Sequence, residues 1–459
     1  MLTPRVIGYK RVPLPPARTI PFIKKLKKVV MIYRFLHLLI EKANYCIQIY
    51  EKIIGISLIA AGISLMALLS GCSAADFYVD DSGYSKEAAA MPDAMASDVG
   101  EVDGGVDPGK EPGGTQHHAS GVVTAGEWND IEKWDFWSKL LNNQNWAGYA
   151  TYWNFYPRNF VCVEVADAAA APVAGVKVTL NKDGKAVWNA ISDNSGRAVL
   201  WAALYEDTFK VDPAGYTVEI AGNAYQDFEF TNPNTSEVKV NKYTVSSNKV
   251  ENAIDVAFIV DATGSMGDEI DFLKDDLKDI VKLVGQQCTA KLRTGTVFYR
   301  DEDDDYVTKH SQFTTDVNET AKFIGAQQAE GGGDWPEAVH KALNAGVQSL
   351  GWNVNARSRV AFLILDAPPH HEDAIIADCQ KVIASYAKMG IKIIPVSASG
   401  IDKSTEYLLR SFAMATNGTY VFITNDSGVG GEHIEATVGE YQVEKLRDLI
   451  ARLIIAYAK

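Results

Sequence analysis

Three side chains with oxygen atoms stand one residue apart in the segment Asp261-Ala-Thr-Gly-Ser265. The carboxylate of Asp261 supplies negative charge, and the hydroxyl groups of Thr263 and Ser265 supply neutral oxygen atoms. Hard cations such as Mg²⁺ prefer oxygen ligands in octahedral geometry and usually keep some bound water. The small residue Gly264 lets such a loop wrap closely. This spacing predicts a divalent-cation site with an open position for a ligand.

Two further segments carry acidic residues at positions of the same kind. The segment Gly331–Glu337 opens a predicted helix and contributes Asp334, and Asp366 directly follows a predicted apolar strand. An alternative interpretation is that these acids cap helix N-termini, where Asp is favoured in any case. We favour the metal interpretation, because capping does not require three loops to converge on one place.

The elements around these loops predict an α/β architecture. Strand patterns alternate with helix patterns from about residue 252 onward, which is typical of a doubly wound parallel sheet. Ligands of such sheets bind beyond the carboxyl ends of the strands, where all three acidic loops should lie. The predicted strands are 254–260, 291–299, 359–365, 391–396 and 419–423, and the predicted helices are 266–284, 316–328, 335–349, 373–388, 403–415 and 440–458.

The three loops together resemble a known family. The D-x-T-x-S loop, the segment GGGDWPEAV and the strand ending LILDAPPH are similar to a von Willebrand factor A domain with a metal-ion-dependent adhesion site, over about residues 250–459. The resemblance implies a Rossmann-like doubly wound sheet that binds Mg²⁺, with Ca²⁺ or Mn²⁺ as alternatives. The metal ligands it implies are Asp261, Thr263, Ser265, Asp334 and Asp366.

Two positions depart from the family pattern. Thr263 replaces the commoner Ser and keeps the hydroxyl group, whereas Asp334 stands where many members have Thr. A third carboxylate would neutralise the cation, so we expect it to polarise an acidic partner less. Trp335, His370 and His371 are expected either to form a ligand-binding rim or to be ordinary loop residues.

Residues 160–248 form a second region, with seven short β-rich segments and turn signals between them. This spacing predicts a small antiparallel β-sandwich. The segments Pro172–Leu180, Ser192–Gly196 and Tyr216–Ile220 resemble a carboxypeptidase regulatory-like or transthyretin-like domain. The resemblance implies a spacer module of the kind found on bacterial surface proteins.

Residues 121–159 are rich in tryptophan, and five of the nine tryptophans lie between Trp128 and Trp153. Part of this segment has apolar residues at helical spacing. The side chains either pack against the neighbouring domain or form a platform that stacks on sugars. We favour packing, because aromatic stripes at helical spacing are usually core.

The N-terminal region carries a membrane-targeting pattern. Nineteen uncharged residues, 53–71, precede Cys72, and the segment Leu69-Ser-Gly-Cys72 resembles the lipobox of bacterial lipoproteins. We expect residues 1–71 to be a leader, Cys72 to be lipidated and residues 72–120 to be a disordered acidic tether. The leader is long, and a start codon placed too far upstream would explain its length, with Met31 as one candidate. The alternative is an uncleaved membrane helix.

Charge and cysteine content exclude some classes of protein. Residues 1–71 contain 11 basic and 2 acidic residues, whereas the rest of the chain contains 33 basic and 56 acidic residues. Such an acidic body is unsuited to nucleic acid, which needs clustered positive charge. The five cysteines form no CxxC motif, which argues against a zinc ribbon or a thioredoxin-type site.

These observations predict a multidomain adhesion or interaction protein of the bacterial cell envelope. It would be lipid-anchored, in the outer membrane and either periplasmic or surface-exposed, and it would bind a protein or glycan partner through the cation.

A second hypothesis is an envelope assembly scaffold with a structural metal. A third is a metal-dependent hydrolase, in which Asp261, Asp334 and Asp366 activate a metal-bound water. We predict a non-enzyme, because the sequence has no evident nucleophile–base pair and no G-x-x-x-x-G-K-[ST] phosphate-binding loop.

Overall fold

The secondary-structure elements follow one another from a first strand near residue 124 to a final helix at the C-terminus. The computed structural model describes residues 123–333, 335–398, 400–424 and 435–459. Its strands are β1 Thr124–Trp128, β2 Phe160–Ala166, β3 Lys177–Lys182, β4 Lys185–Ile191, β5 Arg197–Trp201, β6 Tyr216–Ile220, β7 Asn223–Tyr225, β8 Val240–Thr244, β9 Glu251–Asp261, β10 Lys291–Tyr299, β11 Thr308–Thr314, β12 Ala356–Leu365, β13 Ile391–Ser397, β14 Tyr420–Ile423 and β15 Glu444–Lys445. Its α-helices are α1 Trp134–Leu140, α2 Gln144–Trp153, α3 Gly267–Gln287, α4 Val317–Gly325, α5 Val339–Gln348, α6 Asp373–Met389, α7 Lys403–Ala415 and α8 Leu446–Ala458.

A mixed sheet of eight strands, in the order β11-β10-β9-β12-β13-β14-β1-β15, organises the C-terminal part of the described chain. The five strands from β10 to β14 in this order run parallel, as the alternation of strands and helices predicts. Outside them, β11 pairs antiparallel with β10 on one side, and on the other side β1 pairs antiparallel with both β14 and β15. The α/β prediction is thus confirmed, and the expectation of a purely parallel sheet is corrected at both edges.

The burial of strand β9 shows that this sheet is covered on both faces. Its residues from Ala253 to Asp261 are all buried, which is typical of a strand with helices on either side. Successive side chains point to opposite faces, so Ala257 and Ile259 join one hydrophobic cluster while Val256 and Phe258 join the other. Helices α3 and α8 cover the second of these faces.

The region 160–248 forms two smaller sheets, in the orders β5-β2-β8 and β4-β3-β6-β7. Most of its strand pairs are antiparallel, and the Asp183-Gly184 turn closes the β3–β4 hairpin with positive φ at both residues. Strands β2 and β8 pair in parallel, so the purely antiparallel prediction is wrong there. The β-rich segment 225–230, one of the seven counted in the sequence, is a strand only at its first residue, because the tight turn at Ala221-Gly222 pairs Asn223–Tyr225 with β6.

The tryptophan-rich segment supplies one strand and two helices. Strand β1 inserts into the large sheet beside β14, which corrects the expectation of a purely helical and aromatic segment. The side chains of its five tryptophans are buried, with exposed fractions of 6% or less. These tryptophans are therefore core, as their spacing indicates, and they leave no exposed platform for a sugar. They are Trp128, Trp134, Trp137, Trp146 and Trp153.

One hydrophobic cluster includes side chains of the tryptophan-rich segment, of the two small sheets and of the large sheet. The indole nitrogen of Trp201 in β5 donates to the main-chain oxygen of Met414 in α7 over 3.2 Å. Lys392 in β13 forms an ion pair of 2.8 Å with Asp193 beside β5. The division of this region into separate domains at residues 160 and 250 therefore stays a prediction.

A buried guanidinium group ties the tryptophan-rich segment to α7. Arg410 is completely buried and pairs with both carboxylate oxygens of Asp130, at 2.5 and 2.8 Å, and with Glu406 at 3.0 Å. Its guanidinium carbon also lies 5.0 Å from the ring centres of Trp137 and Trp146. The guanidinium group thus connects two buried carboxylates from different parts of the chain, and Glu406 also pairs with Lys403 over 3.0 Å.

The predicted leader and tether, with Cys72, lie outside the described residues. Among the helices that the structure does describe, none combines the length and apolar character needed to cross a bilayer.

We expect Arg410→Ala to lower the free energy of unfolding by about 3–5 kcal/mol, because it leaves the buried carboxylate of Asp130 without its charge partner. Urea unfolding followed by circular dichroism measures this loss. Arg452→Ala is the control: Arg452 pairs with Glu444 and Glu127, but its side chain is 47% exposed. The control should cost about 1 kcal/mol or less. Equal losses in the two variants would contradict the role given to Arg410.

Candidate metal centre

Asp261 is the last residue of β9, and its side chain is completely buried. The main-chain nitrogen and the hydroxyl group of Thr263 both donate to its Oδ1, over 2.9 and 2.8 Å. Its Oδ2 is buried without a regular hydrogen bond among the described residues, although the hydroxyl group of Tyr299 is close enough to interact with this carboxylate. Buried carboxylate oxygens are almost always satisfied, so this atom is a candidate ligand for a cation.

Asp366 lies beside Asp261 because β12 and β9 are neighbours in register, with Ile364 opposite Val260. Burial and the nearby charge of Asp366 raise the pKa of Asp261 to about 7. Burial also raises the pKa of Asp366, and a hydrogen bond from the Ser265 hydroxyl group opposes that rise. Two buried carboxylates therefore repel each other at this edge of the sheet, where a positive charge would stabilise both.

A glycine-rich loop lies against the first acidic loop. Gly331 and Gly332 have φ angles of +83° and +73°, which favour glycine. The main-chain nitrogen of Gly264 donates to Gly331 over 3.2 Å, and that of Gly332 donates to Asp304 over 3.0 Å. A Cβ atom on Gly332 would lie 3.3 Å from the Cβ of Thr263. The first two predicted loops are therefore in contact.

Two buried residues of this pocket were missed as site residues in the sequence. Glu337 is only 3% exposed, and its main-chain nitrogen donates to Pro368 over 2.9 Å, which ties the second acidic loop to the third. Burial and the surrounding carboxylates raise its pKa to about 9. Tyr299 ends β10 directly opposite Asp261, and burial together with that carboxylate raises the pKa of its phenol. Tyr299 could have been identified in the sequence from its position at the end of a predicted strand. The signal for Glu337 is its place inside the GGGDWPEAV segment.

The three predicted rim residues have different environments. Trp335 is 46% exposed beside the glycine loop. His370 forms a contact of 2.8 Å between its Nε2 and Oδ1 of Asp301. His371 stacks on the ring of Tyr152, with 3.6 Å between ring centres, so it contacts the tryptophan-rich segment. Their role in binding a ligand stays a prediction.

The donor set fits a hard cation in chemical type. Asp261 and Asp366 offer carboxylate oxygens, and Thr263 and Ser265 offer hydroxyl oxygens, as Mg²⁺ and Ca²⁺ prefer. Asp334, the remaining predicted ligand, lies outside the described residues. Within the described part of the chain, no group of three or more His, Cys, Asp or Glu residues has a metal-binding arrangement. The cation itself therefore stays a prediction.

Residues 255–436 match a family model described as the von Willebrand factor A domain. The match contains the first acidic loop, the glycine loop and the strand that ends before Asp366. Together with the parallel sheet, it supports a von Willebrand factor A domain in this part of the chain.

Two relatives match part of this chain. A protein described as a putative ariadne-like RING finger protein, from Acanthamoeba polyphaga mimivirus, is 33% identical over 119 residues, which are 26% of this chain and 11% of that protein. The alpha-protein kinase vwkA of Dictyostelium discoideum is 30% identical over 188 residues, which are 39% of this chain and 28% of the kinase. The chain thus spans less than a third of the length of either relative.

A solved structure of a von Willebrand factor type A protein from Catenulispora acidiphila is also similar to this chain. The sequence identity is 15% and the TM-score is 0.32, with 66% of this chain and 50% of that chain covered.

We expect Gly332→Ala to lower the free energy of unfolding by about 1–2 kcal/mol, because an L residue at a left-handed position is strained. The new Cβ would also press on Thr263 and Glu337. Gly333→Ala is the matched control, since a Cβ there meets no atom within 4 Å. Urea unfolding of both variants tests this expectation, and equal stabilities would contradict the contact between the loops.

Proposed function

We propose that this chain binds a protein partner through a divalent cation held at the carboxyl end of β9 and β12. The observation that carries the proposal is the buried Oδ2 of Asp261, which makes no regular hydrogen bond within the described part of the chain and lies near a second buried carboxylate, Asp366. The hydroxyl groups of Thr263 and Ser265 add neutral oxygen ligands. Mg²⁺ is the cation we favour, with Ca²⁺ and Mn²⁺ as alternatives.

Binding of a protein suits both the domain type and the surface beside the site. Von Willebrand factor A domains commonly mediate protein interactions, and the residues matched by the family model include all of the proposed ligands. The exposed indole of Trp335 offers an apolar contact next to the cation. A glycan partner is the alternative that an aromatic rim would also accept.

The two relatives are named as a kinase and a RING finger protein, and we do not propose either activity for this chain. The matched stretches cover 28% and 11% of those proteins, so the names describe much longer chains. We propose a binding role without catalysis. A metal-dependent hydrolase is the less favoured alternative.

We further propose that the protein is a lipoprotein of the bacterial envelope, anchored in the outer membrane through Cys72 and facing either the periplasm or the cell surface. The Leu69-Ser-Gly-Cys72 motif after an apolar run supports this placement. The small sheets of residues 160–248 would then separate the binding domain from the membrane. An envelope assembly scaffold with a structural metal is the alternative role.

We expect Asp261→Ala to abolish cation binding by the purified full-length chain. The variant should stay folded, because Asp261 lies at the end of a strand and the substitution removes an uncompensated buried charge. Calorimetric titration with Mg²⁺, Ca²⁺ and Mn²⁺ measures the affinity, and circular dichroism reports the fold. Asp305→Ala, which changes an exposed acid of the neighbouring loop, is the control. Undiminished affinity in Asp261→Ala would overturn the proposed metal site.

We expect Cys72→Ala to release the protein from the membrane fraction and to prevent labelling with a radioactive fatty acid, because the thiol would carry the lipid. Cys46→Ala, a second cysteine of the N-terminal region, should leave both properties unchanged. Continued membrane association of an unlabelled Cys72→Ala protein would instead indicate an uncleaved membrane helix.

A further inference from the structure

Glu337 is a buried carboxylate without a visible partner for one of its oxygens. The residue is 3% exposed, and its Oε2 makes no hydrogen bond with any described residue. No Lys, Arg or His side chain of the described residues forms an ion pair with it. Isolated buried charges are costly, and proteins keep them where a ligand or metal compensates them.

The carboxylate of Glu337 faces the proposed cation pocket. A Cβ atom on Gly332 would lie 3.2 Å from Oε1 of Glu337 and 3.3 Å from the Cβ of Thr263. The two side chains therefore flank the same point of the glycine loop. The main chain of Glu337 is also fastened to Pro368, two residues after Asp366, so its position is held from both loops.

We propose that Glu337 is a further acidic group of the cation site and that it keeps the loaded site closed to carboxylate ligands. This inference rests on the proposed cation site. When the cation is bound and all three groups are ionised, Asp261, Asp366 and Glu337 place three negative charges around a cation of charge +2, so the described site stays negative. A partner's carboxylate would be repelled, and a neutral oxygen such as a carbonyl, hydroxyl or amide group would be accepted.

The test compares Mn²⁺ affinity of the full-length chain with that of Glu337→Gln, measured by calorimetry at constant pH. We expect Glu337→Gln to weaken Mn²⁺ binding by about 10- to 100-fold, as loss of a supporting group at a metal site usually does. The amide keeps the size of the side chain and removes the charge, so the fold should persist. A loss of less than threefold would overturn the inference.

Two further variants separate this inference from the proposed function. Glu330→Gln removes an acid of the same loop whose side chain is 61% exposed, and it should leave the affinity unchanged. If Asp261→Ala abolishes binding and Glu337→Gln does not weaken it, only the role of Glu337 fails. If Asp261→Ala binds Mn²⁺ as tightly as the unaltered chain, the metal site itself fails.

Acetate tests the exclusion of carboxylates directly. The probe is the relaxation of water protons by bound Mn²⁺, at Mn²⁺ concentrations that saturate each protein. Acetate should leave the signal of the unaltered chain unchanged and should displace bound water from the Glu337→Gln site. An equal response to acetate in both proteins would overturn the exclusion role.

Discussion

The buried charge of Arg410 joins helix α7 to the start of the described chain. Its guanidinium group connects Asp130, near the start of the described residues, with Glu406 in helix α7, and it does so where water is excluded. An unpaired charge in a buried place costs several kcal/mol of stability. Displacing either segment would therefore leave a buried charge on the other without its partner. The tryptophans that surround the group, Trp137 and Trp146, are consequently held in the core.

This arrangement also connects the tryptophan-rich segment to the candidate metal centre. Tyr152, in the second helix of that segment, stacks on His371, and His371 lies five residues after Asp366. Lys392 and Asp193 form a second polar bridge, between the large sheet and the smaller ones. The loop that carries Asp366 therefore also contacts a segment outside the residues that match the von Willebrand factor A domain.

The candidate metal centre concentrates charge of one sign where the protein offers little to balance it. Asp261, Glu337 and Asp366 are all buried, and the described part of the chain places no cationic side chain in an ion pair with them. Such a cluster destabilises the protein in the absence of a ligand, and clusters of this kind occur mainly at functional sites. A divalent cation would turn the repulsion into attraction, which is the physical reason for assigning one to this pocket.

The pattern of residues alone was sufficient to predict the parallel strands, most of the helices that follow them and the three acidic loops at one edge of the sheet. Local hydrophobic periodicity determines these elements, and the rule that parallel strands end at a common edge brings Asp261 and Asp366 together.

Only the tertiary structure decided the rest. Strand β1 lies almost 300 residues from its neighbour β14 in the sequence. The parallel pairing of β2 with β8 depends on a long connection. Glu337 becomes part of the pocket only through the hydrogen bond from its main-chain nitrogen to the third loop. Pairings between distant segments leave no periodic signal in the sequence, because they are determined by packing and by the burial of charge.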